Sequence, residues 1–436
     1  MRAPASTIRY GPAERRRVLL FSLLGTVFDG ADFGVFIFFL APVAASFHVT
    51  LMAMEWIQAS SYLASIAGAI LFGLLADRFG RRPGLALTVV LYSLATLASA
   101  FAPSYAALFA WRLVAGVGIG GEAGLAISYL NEAWHPRRRG IATAFLQGMF
   151  LVGSAIATVL FTWTSARFGA DAWRWAFATL GVAVLLAAAI RLWMPESRAW
   201  LARRDLPRSE AASGGWSAFR GAGLLRVTVR LAALTTCTFF AAYAVETYAP
   251  TALLTVYRLP AAAVGALAFL GLAVIFAAYL CFGGLSDRWG RRASVIGATA
   301  FGGVGFLLYA GLLASGADLG AHPGRLPAGT LTAVLWMLAA AGPLGVQGAW
   351  SAELFPTEVR ATAVNVAYYV GRGLGGGLAP LGALALAQYL GGDLRLAMVL
   401  GLLGLLVALP LALRIPETRG EPLLLTVGGP SAVIPE

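Results

Sequence analysis

Six ionisable residues stand well inside long apolar stretches of this 436-residue chain: Asp29, Asp32, Arg112, Glu122, Glu246 and Arg372. A charge inside an apolar segment of membrane length is costly, so each is expected to have a partner, water or a functional reason. Asp29 and Asp32 are three residues apart and share one helical face. Two carboxyls that close together in a low dielectric cannot both ionise cheaply, so at least one is expected to hold a proton. Glu122, in Gly120-Gly121-Glu122, is a further acid of this kind, beside glycines that let a neighbouring helix approach closely. Proton coupling through Asp29, Asp32 or Glu122 is the chemistry these acids suggest; the alternative is that Asp29 or Asp32 is a permanent structural partner of Arg112. Arg372 sits in Val370-Gly371-Arg372-Gly373-Leu374-Gly375-Gly376-Gly377, a loose stretch suited to lining a cavity. A guanidinium keeps its charge and grips a carboxylate with two parallel hydrogen bonds, which makes Arg372 a receptor for an anion. The competing expectation is a salt bridge from Arg372 to Asp29, Asp32 or Glu122. Together with Arg372, the groups Arg112, Gln147, Tyr243, Glu246, Gln347 and Tyr368 are candidates to bind a small molecule.

The elements that must position these residues are membrane helices. The chain is 59% apolar and 12% charged, with a mean hydropathy of +0.78. Twelve apolar stretches of about 18 residues or more, the length that crosses a bilayer as helix, run over 18–45, 53–76, 84–101, 105–131, 140–165, 173–194, 228–256, 261–286, 293–315, 327–352, 360–389 and 395–415. At about 1.5 Å per helical residue, Asp29, Glu122 and Arg372 each lie roughly 15–18 Å from the same face and share the midplane, with Arg112 and Glu246 beyond it. All 32 basic residues are Arg; about 25 of them fall on the side that holds both termini, five on the other and two within the bilayer. That asymmetry predicts cytoplasmic termini in a bacterial inner membrane. The net charge of +12 therefore reports topology, with no nucleic-acid partner implied. Cys237 and Cys281 fall within spans and are expected to behave as small hydrophobes. His48, His135 and His322 are far apart and form no metal site, and the first apolar stretch is too long for a cleavable signal.

The chain repeats itself. Gly73-Leu74-Leu75-Ala76-Asp77-Arg78-Phe79-Gly80-Arg81-Arg82 follows the second span, and Gly283-Gly284-Leu285-Ser286-Asp287-Arg288-Trp289-Gly290-Arg291-Arg292 follows the eighth. Glu132 with Arg139, and Glu353 with Arg360, close spans four and ten; Pro195-Glu196-Ser197-Arg198 and Pro416-Glu417-Thr418-Arg419 close spans six and twelve. Three matched pairs in one order predict two related halves, 1–205 and 225–436, joined by a polar linker at 206–224.

These elements, with Arg112 and Gly116, Gly118 and Gly120 in span four, resemble the major facilitator superfamily over essentially the whole chain. The resemblance implies an all-α membrane protein of twelve transmembrane helices, two six-helix bundles around a cavity that opens alternately to each side. It also implies that the first-half aspartate Asp77 latches helix eleven, within a gate of Asp77, Arg81, Glu132 and Arg139 and their counterparts Asp287, Arg291, Glu353 and Arg360. The segment Asp29-Gly30-Ala31-Asp32 resembles the helix-one signature of the aromatic-acid:proton symporter branch. The expected function is proton-coupled import of a small organic anion by a monomer, with no cofactor and no enzymatic activity, driven by the proton gradient. A sugar or polyol symporter, or an efflux carrier, is the alternative; the Gln-rich helix-seven signature of sugar porters is missing from Thr235-Thr236-Cys237-Thr238-Phe239-Phe240-Ala241-Ala242-Tyr243.

Overall fold

In lipid a backbone must satisfy its own polar groups, and the apolar runs do so as helices. The computed structural model describes residues 6–8, 10–206, 223–317, 326–391, 394–426 and 431–433; the predicted linker at 206–224 lies almost wholly outside the described residues, as does His322. Among the described residues, eleven helical stretches are long and apolar enough to cross a membrane. One of them, Pro136–Ile190, reverses at Gly169, where φ is +54°, and so holds two spans, which brings the total to twelve. The first half comprises α1 (Pro12–Phe38), α2 (Leu51–Phe79), α3 (Arg81–Ala100), α4 (Tyr105–Ile119 and Glu122–Ala133), α5 (Arg139–Phe168) and α6 (Ala172–Leu180 and Ala183–Trp193). The second comprises α7 (Leu224–Thr255), α8 (Ala261–Trp289), α9 (Arg291–Ser315), α10 (Ala328–Leu338 and Gly342–Leu354), α11 (Arg360–Gly371 and Ala379–Tyr389) and α12 (Leu394–Leu413). Short helices Leu40–Phe47 and Arg198–Arg204 follow α1 and α6.

The repeated turns each reverse the chain on a single glycine: Gly80 at φ +114° and Gly290 at φ +101°, conformations that favour a residue without Cβ. In α11 the glycine-rich run becomes a π-helical segment, Arg372–Leu378, a departure from α geometry that recurs at functional sites. The α4 axis breaks at Gly120 and Gly121, which brings Glu122 to the start of a new helix in mid-membrane. The halves meet where α2 packs on α11 and α5 on α8 and α10. Near the Arg-rich face, a buried apolar cluster joins Ile127, Leu130 and Leu146 of the first half to Val346, Trp350 and Val364 of the second. Phe36 and Phe39 are buried packing residues, whereas Phe38 faces outward. Outside the helices, strands β1 (Ser6–Thr7), β2 (Leu423–Leu424) and β3 (Ser431–Val433) form a small sheet in the order β1-β3-β2, tying the two terminal segments together.

Candidate functional site

The repeated turns sit at the junction of the halves. Asp77, at the end of α2, reaches the first turn of α11, where helix-start N–H groups lack partners. Its carboxylate accepts from Ala361 N at 3.1 Å, Thr362 N at 2.9 Å and Thr362 Oγ1 at 2.6 Å. Asp287 does the same for α5, accepting from Gly140 N at 2.8 Å and Ile141 N at 3.0 Å. Arg81 donates to Asp77 at 2.7 Å, to Glu132 at 3.0 Å and, across the junction, to the Thr357 carbonyl at 2.7 Å. Arg360 reaches back to Glu132 at 2.8 Å. In the other turn Arg291 donates to Asp287 at 2.7 Å and to Glu353 at 2.8 Å, and Arg139 lies 3.9 Å from Glu353. All four of these arginines are fully buried, and both aspartates bond across the junction between the bundles.

The Pro-Glu-Ser/Thr-Arg elements complete this network. Glu196 caps α3, accepting from Arg81 N at 2.8 Å, and Glu417 caps α9, accepting from Arg291 N at 2.8 Å. A Cβ at Gly80 or Gly290 would run into these carboxylates. The Ser197 hydroxyl bonds to Glu132, and Thr418 Oγ1 to Glu353 at 2.7 Å. Burial holds the Glu196 carboxyl above the ordinary range; at Glu417 burial acts the same way but is outweighed by backbone N–H donors from Arg291, Arg292, Arg419 and Thr418, and the net shift is downward. The segment after α12 adds acceptors: the Leu424 carbonyl takes Arg360 Nη2 at 3.1 Å, and the Glu421 carbonyl takes Arg139 Nη1 at 3.3 Å.

Two arginines inside the membrane-spanning helices have unlike settings. Arg112 grips Asp32 with both nitrogens, at 2.6 and 2.9 Å, while Thr96 Oγ1 donates to the same carboxylate at 2.7 Å. The guanidinium is packed between the Phe36 and Phe177 rings, 5.1 and 5.5 Å from their centroids. Among the described residues Arg372 has a single ion-pair contact, Nη1 to Asp29 Oδ2 at 3.2 Å, which joins the second half to the first. It otherwise faces aromatic rings: Phe150 at 4.9 Å, Tyr62 at 5.2 Å and Phe33 at 5.8 Å. Asp29 Oδ1 and both carboxyl oxygens of Glu122 have no hydrogen-bond partner among the described residues, although both side chains are buried. Glu122 packs so close to α1 that a Cβ at Gly25 would come 2.5 Å from its Oε1. Beside it the Tyr369 hydroxyl bonds the Ile119 carbonyl and accepts from Ala123 N at 3.1 Å, tying α11 to the break in α4.

Two cavities flank the Phe33 ring on the side away from the Arg-rich face. One, about 210 Å³, is lined by apolar residues of α1, α5, α7, α8 and α10 together with Glu246. The other, about 130 Å³, is lined by Phe33, Tyr62, Tyr243 and Thr247, with Glu55 and Gln58. Phe33 lies 6.3 Å from Tyr62 and from Tyr243, and 5.3 Å from Phe150, so these rings stand between the cavities and Arg372. On the Arg-rich side of Arg372, Gln147, Gln347 and Tyr368 line a third space of about 10 Å³, roughly that of one water.

The structure therefore brings Asp29, Glu122 and Arg372 together, and places Tyr243 and Glu246 on the cavities beside them. Arg112 lines none of these cavities: Asp32 engages its two terminal nitrogens and holds them in place, its Nε has no hydrogen-bond partner among the described residues, and the expected substrate role of Arg112 finds no support in this geometry. Gln147, Gln347 and Tyr368 are likewise apart from the larger cavities; Gln147 Nε2 is spent on the Leu344 carbonyl at 2.6 Å and Gln347 Nε2 on Thr238 at 2.9 Å. Sequence reasoning misses Phe33, Tyr62 and Phe150. It also uses Glu196 and Glu417 only as marks of the repeat, although each follows a proline at the end of a span and repeats with its neighbours, which is the signal that could have found them.

The family described as Major Facilitator Superfamily matches residues 22–321. A putative niacin/nicotinamide transporter of Bacillus subtilis is 28% identical over 85% of this chain and 88% of its own length. A 3-(3-hydroxyphenyl)propionate transporter of Escherichia coli is 30% identical over 76% of this chain and 77% of its own. Among solved structures, the proton:xylose symporter XylE bound to 6-bromo-6-deoxy-D-glucose superposes with a TM-score of 0.77 at 21% identity, covering 96% of this chain and 98% of the other.

Proposed function

The chain belongs to the major facilitator superfamily of membrane transporters, and on that premise we propose that it imports a small organic anion together with a proton by alternating access. The observation that carries this reading is the contrast between the two arginines buried within the spans. Arg112 is closed by a bidentate carboxylate, whereas Arg372 shares one 3.2 Å contact with Asp29 and otherwise faces aromatic rings. A substrate carboxylate that accepts two parallel hydrogen bonds from the guanidinium can displace such a partner. Asp29 then loses its cation in a low dielectric beside Glu122, and neutralising it requires a proton. Anion binding and proton uptake are thereby one event, with Asp29 and Glu122 as the proton-holding groups and the Arg112–Asp32 pair as scaffold.

Asp77 and Asp287 act in this reading as latches of the cytoplasmic side: their bonds to α11 and α5 exist only while that side is shut, so they bias the conformational equilibrium. Arg81, Glu132, Arg139, Arg291, Glu353 and Arg360 hold the same closed state. The Arg asymmetry supports a cytoplasmic position for that face and both termini in a bacterial inner membrane. The carrier works as a monomer on the proton gradient alone. The relatives named for niacin and for a hydroxyphenylpropionate support an organic acid as cargo.

The test is a thermal-shift and uptake panel of carboxylates against neutral sugars, with Arg372→Lys and Asp29→Asn alongside the native protein. Carboxylates are expected to stabilise the native protein and to lose affinity in Arg372→Lys. Stabilisation by sugars alone, or native affinity in Arg372→Lys, overturns the reading.

A further inference from the structure

The 210 Å³ cavity has one feature that anion binding at Arg372 leaves unused. Among its described lining residues Glu246 is the single charged side chain, and it makes no hydrogen bond or ion pair with another described residue. The one other polar side chain in the wall, Ser154, spends its hydroxyl on the carbonyls of Gly30 and Phe150. The rest of the wall is aliphatic and aromatic, supplied by both halves. Two of its rings, Phe33 and Phe150, are the rings against which Arg372 packs, so the guanidinium lies one ring layer behind the cavity wall. A cavity with an apolar body and a few convergent polar groups is the form of a small-molecule site. A space of about 150 Å³ already holds benzene, so this one has room for a six-membered ring with a substituent.

We propose that Glu246 is the receptor for a hydrogen-bond donor on the transported anion, which makes the substrate bipolar: a ring or short chain with a carboxylate at one end and a hydroxyl or ammonium donor at the other. This rests on the reading of Arg372 as the carboxylate receptor. The carboxylate reaches Arg372 when the Phe33 and Phe150 rings, 5.3 Å apart here, move aside; the apolar body fills the cavity, and the donor satisfies a carboxyl that no described residue supplies with one. A molecule lacking the donor leaves Glu246 desolvated and unpaired, which a polar site penalises.

The experiment measures dissociation constants of the full chain in nanodiscs for benzoate, 4-hydroxybenzoate and 4-(aminomethyl)benzoate. In the native protein the donor-bearing compounds are expected to bind tighter than benzoate by about tenfold or more, the size of one hydrogen bond to a charged group. In Glu246→Gln the ratio for the ammonium compound should fall toward one, and in Glu246→Asp it should persist in part. Equal binding of all three to the native protein overturns the inference without any variant, as does an unchanged ratio in Glu246→Gln. If no benzoate binds the native protein, the carboxylate reading itself fails; if benzoate binds as well as the donor-bearing compounds, only the role of Glu246 does.

Discussion

Replacing Asp77 with Asn changes one atom and tests how the Arg-rich side is held shut. The carboxylate accepts three hydrogen bonds from the start of α11 and one from Arg81. Asn keeps one acceptor oxygen but turns an amide toward N–H donors and removes the negative charge from a helix N-terminus. Losing that charge costs about 0.3–2 kcal/mol. Downgrading charge-assisted bonds to neutral ones costs about 1 kcal/mol each where they survive. Together the closed state loses roughly 2–4 kcal/mol relative to the state open on that side, a shift of roughly 30- to 700-fold in their ratio. The fold is expected to persist, because Arg81 keeps Glu132 and the Thr357 carbonyl. Spin labels at Phe79→Cys and Trp289→Cys, exposed at the Arg-rich ends of α2 and α8, read the opening directly once Cys237 and Cys281 are replaced. Asp77→Asn should enlarge a longer-distance population and slow transport. An unchanged distance distribution would refute the latch.

Asp287→Asn should move the same distances in the same direction but less, because Asp287 holds two backbone N–H groups of α5 and no counterpart of the Thr362 hydroxyl; an equal or larger shift contradicts this ranking. Arg112→Ala leaves Asp32 buried without its cation and should cost about 3–5 kcal/mol of stability, read as a lower unfolding temperature and less protein in the membrane, with Asp32→Asn in the same chain restoring part of it. Glu122→Gln replaces a carboxyl that has no hydrogen-bond partner among the described residues with a neutral group of the same shape, so stability should hardly change. In proteoliposomes that variant should still exchange substrate across the bilayer while losing accumulation driven by a pH gradient. Retained accumulation would remove Glu122 from the proton path.

Features of this fold and site are legible in the sequence where their signal is local. The Asp-Arg-x-Gly-Arg-Arg turn is contiguous and repeated, so the two halves and the twelve spans stand out along the chain. A charge in an apolar run is equally visible, which is why Asp29, Glu122 and Arg372 are conspicuous. Depth along each helix can be counted from the rise of about 1.5 Å per residue. Rotation about each axis cannot, and rotation decides which acid meets which arginine: Asp32 turns to Arg112 on α4 and Asp29, three residues earlier, to Arg372 on α11. Phe33, Tyr62 and Phe150 are invisible for the same reason, since an aromatic residue in a lipid-facing segment looks like one beside a guanidinium. Glu196 caps a helix whose first residue lies 115 positions earlier, a distance no local pattern spans. The glycine run after Arg372 does announce a departure from regular helix, and it is the π segment.

The proposed coupling is displacement of Asp29 from Arg372 by an anion that brings a proton with it. Its most direct test is a pH electrode in a lightly buffered suspension of proteoliposomes without a membrane potential, to which 4-hydroxybenzoate is added at neutral pH. Alkalinisation of the medium is expected with the native protein, and none with Arg372→Lys or with an ionophore that collapses the gradient. Substrate uptake without any pH change, or the same alkalinisation in Arg372→Lys, would contradict it.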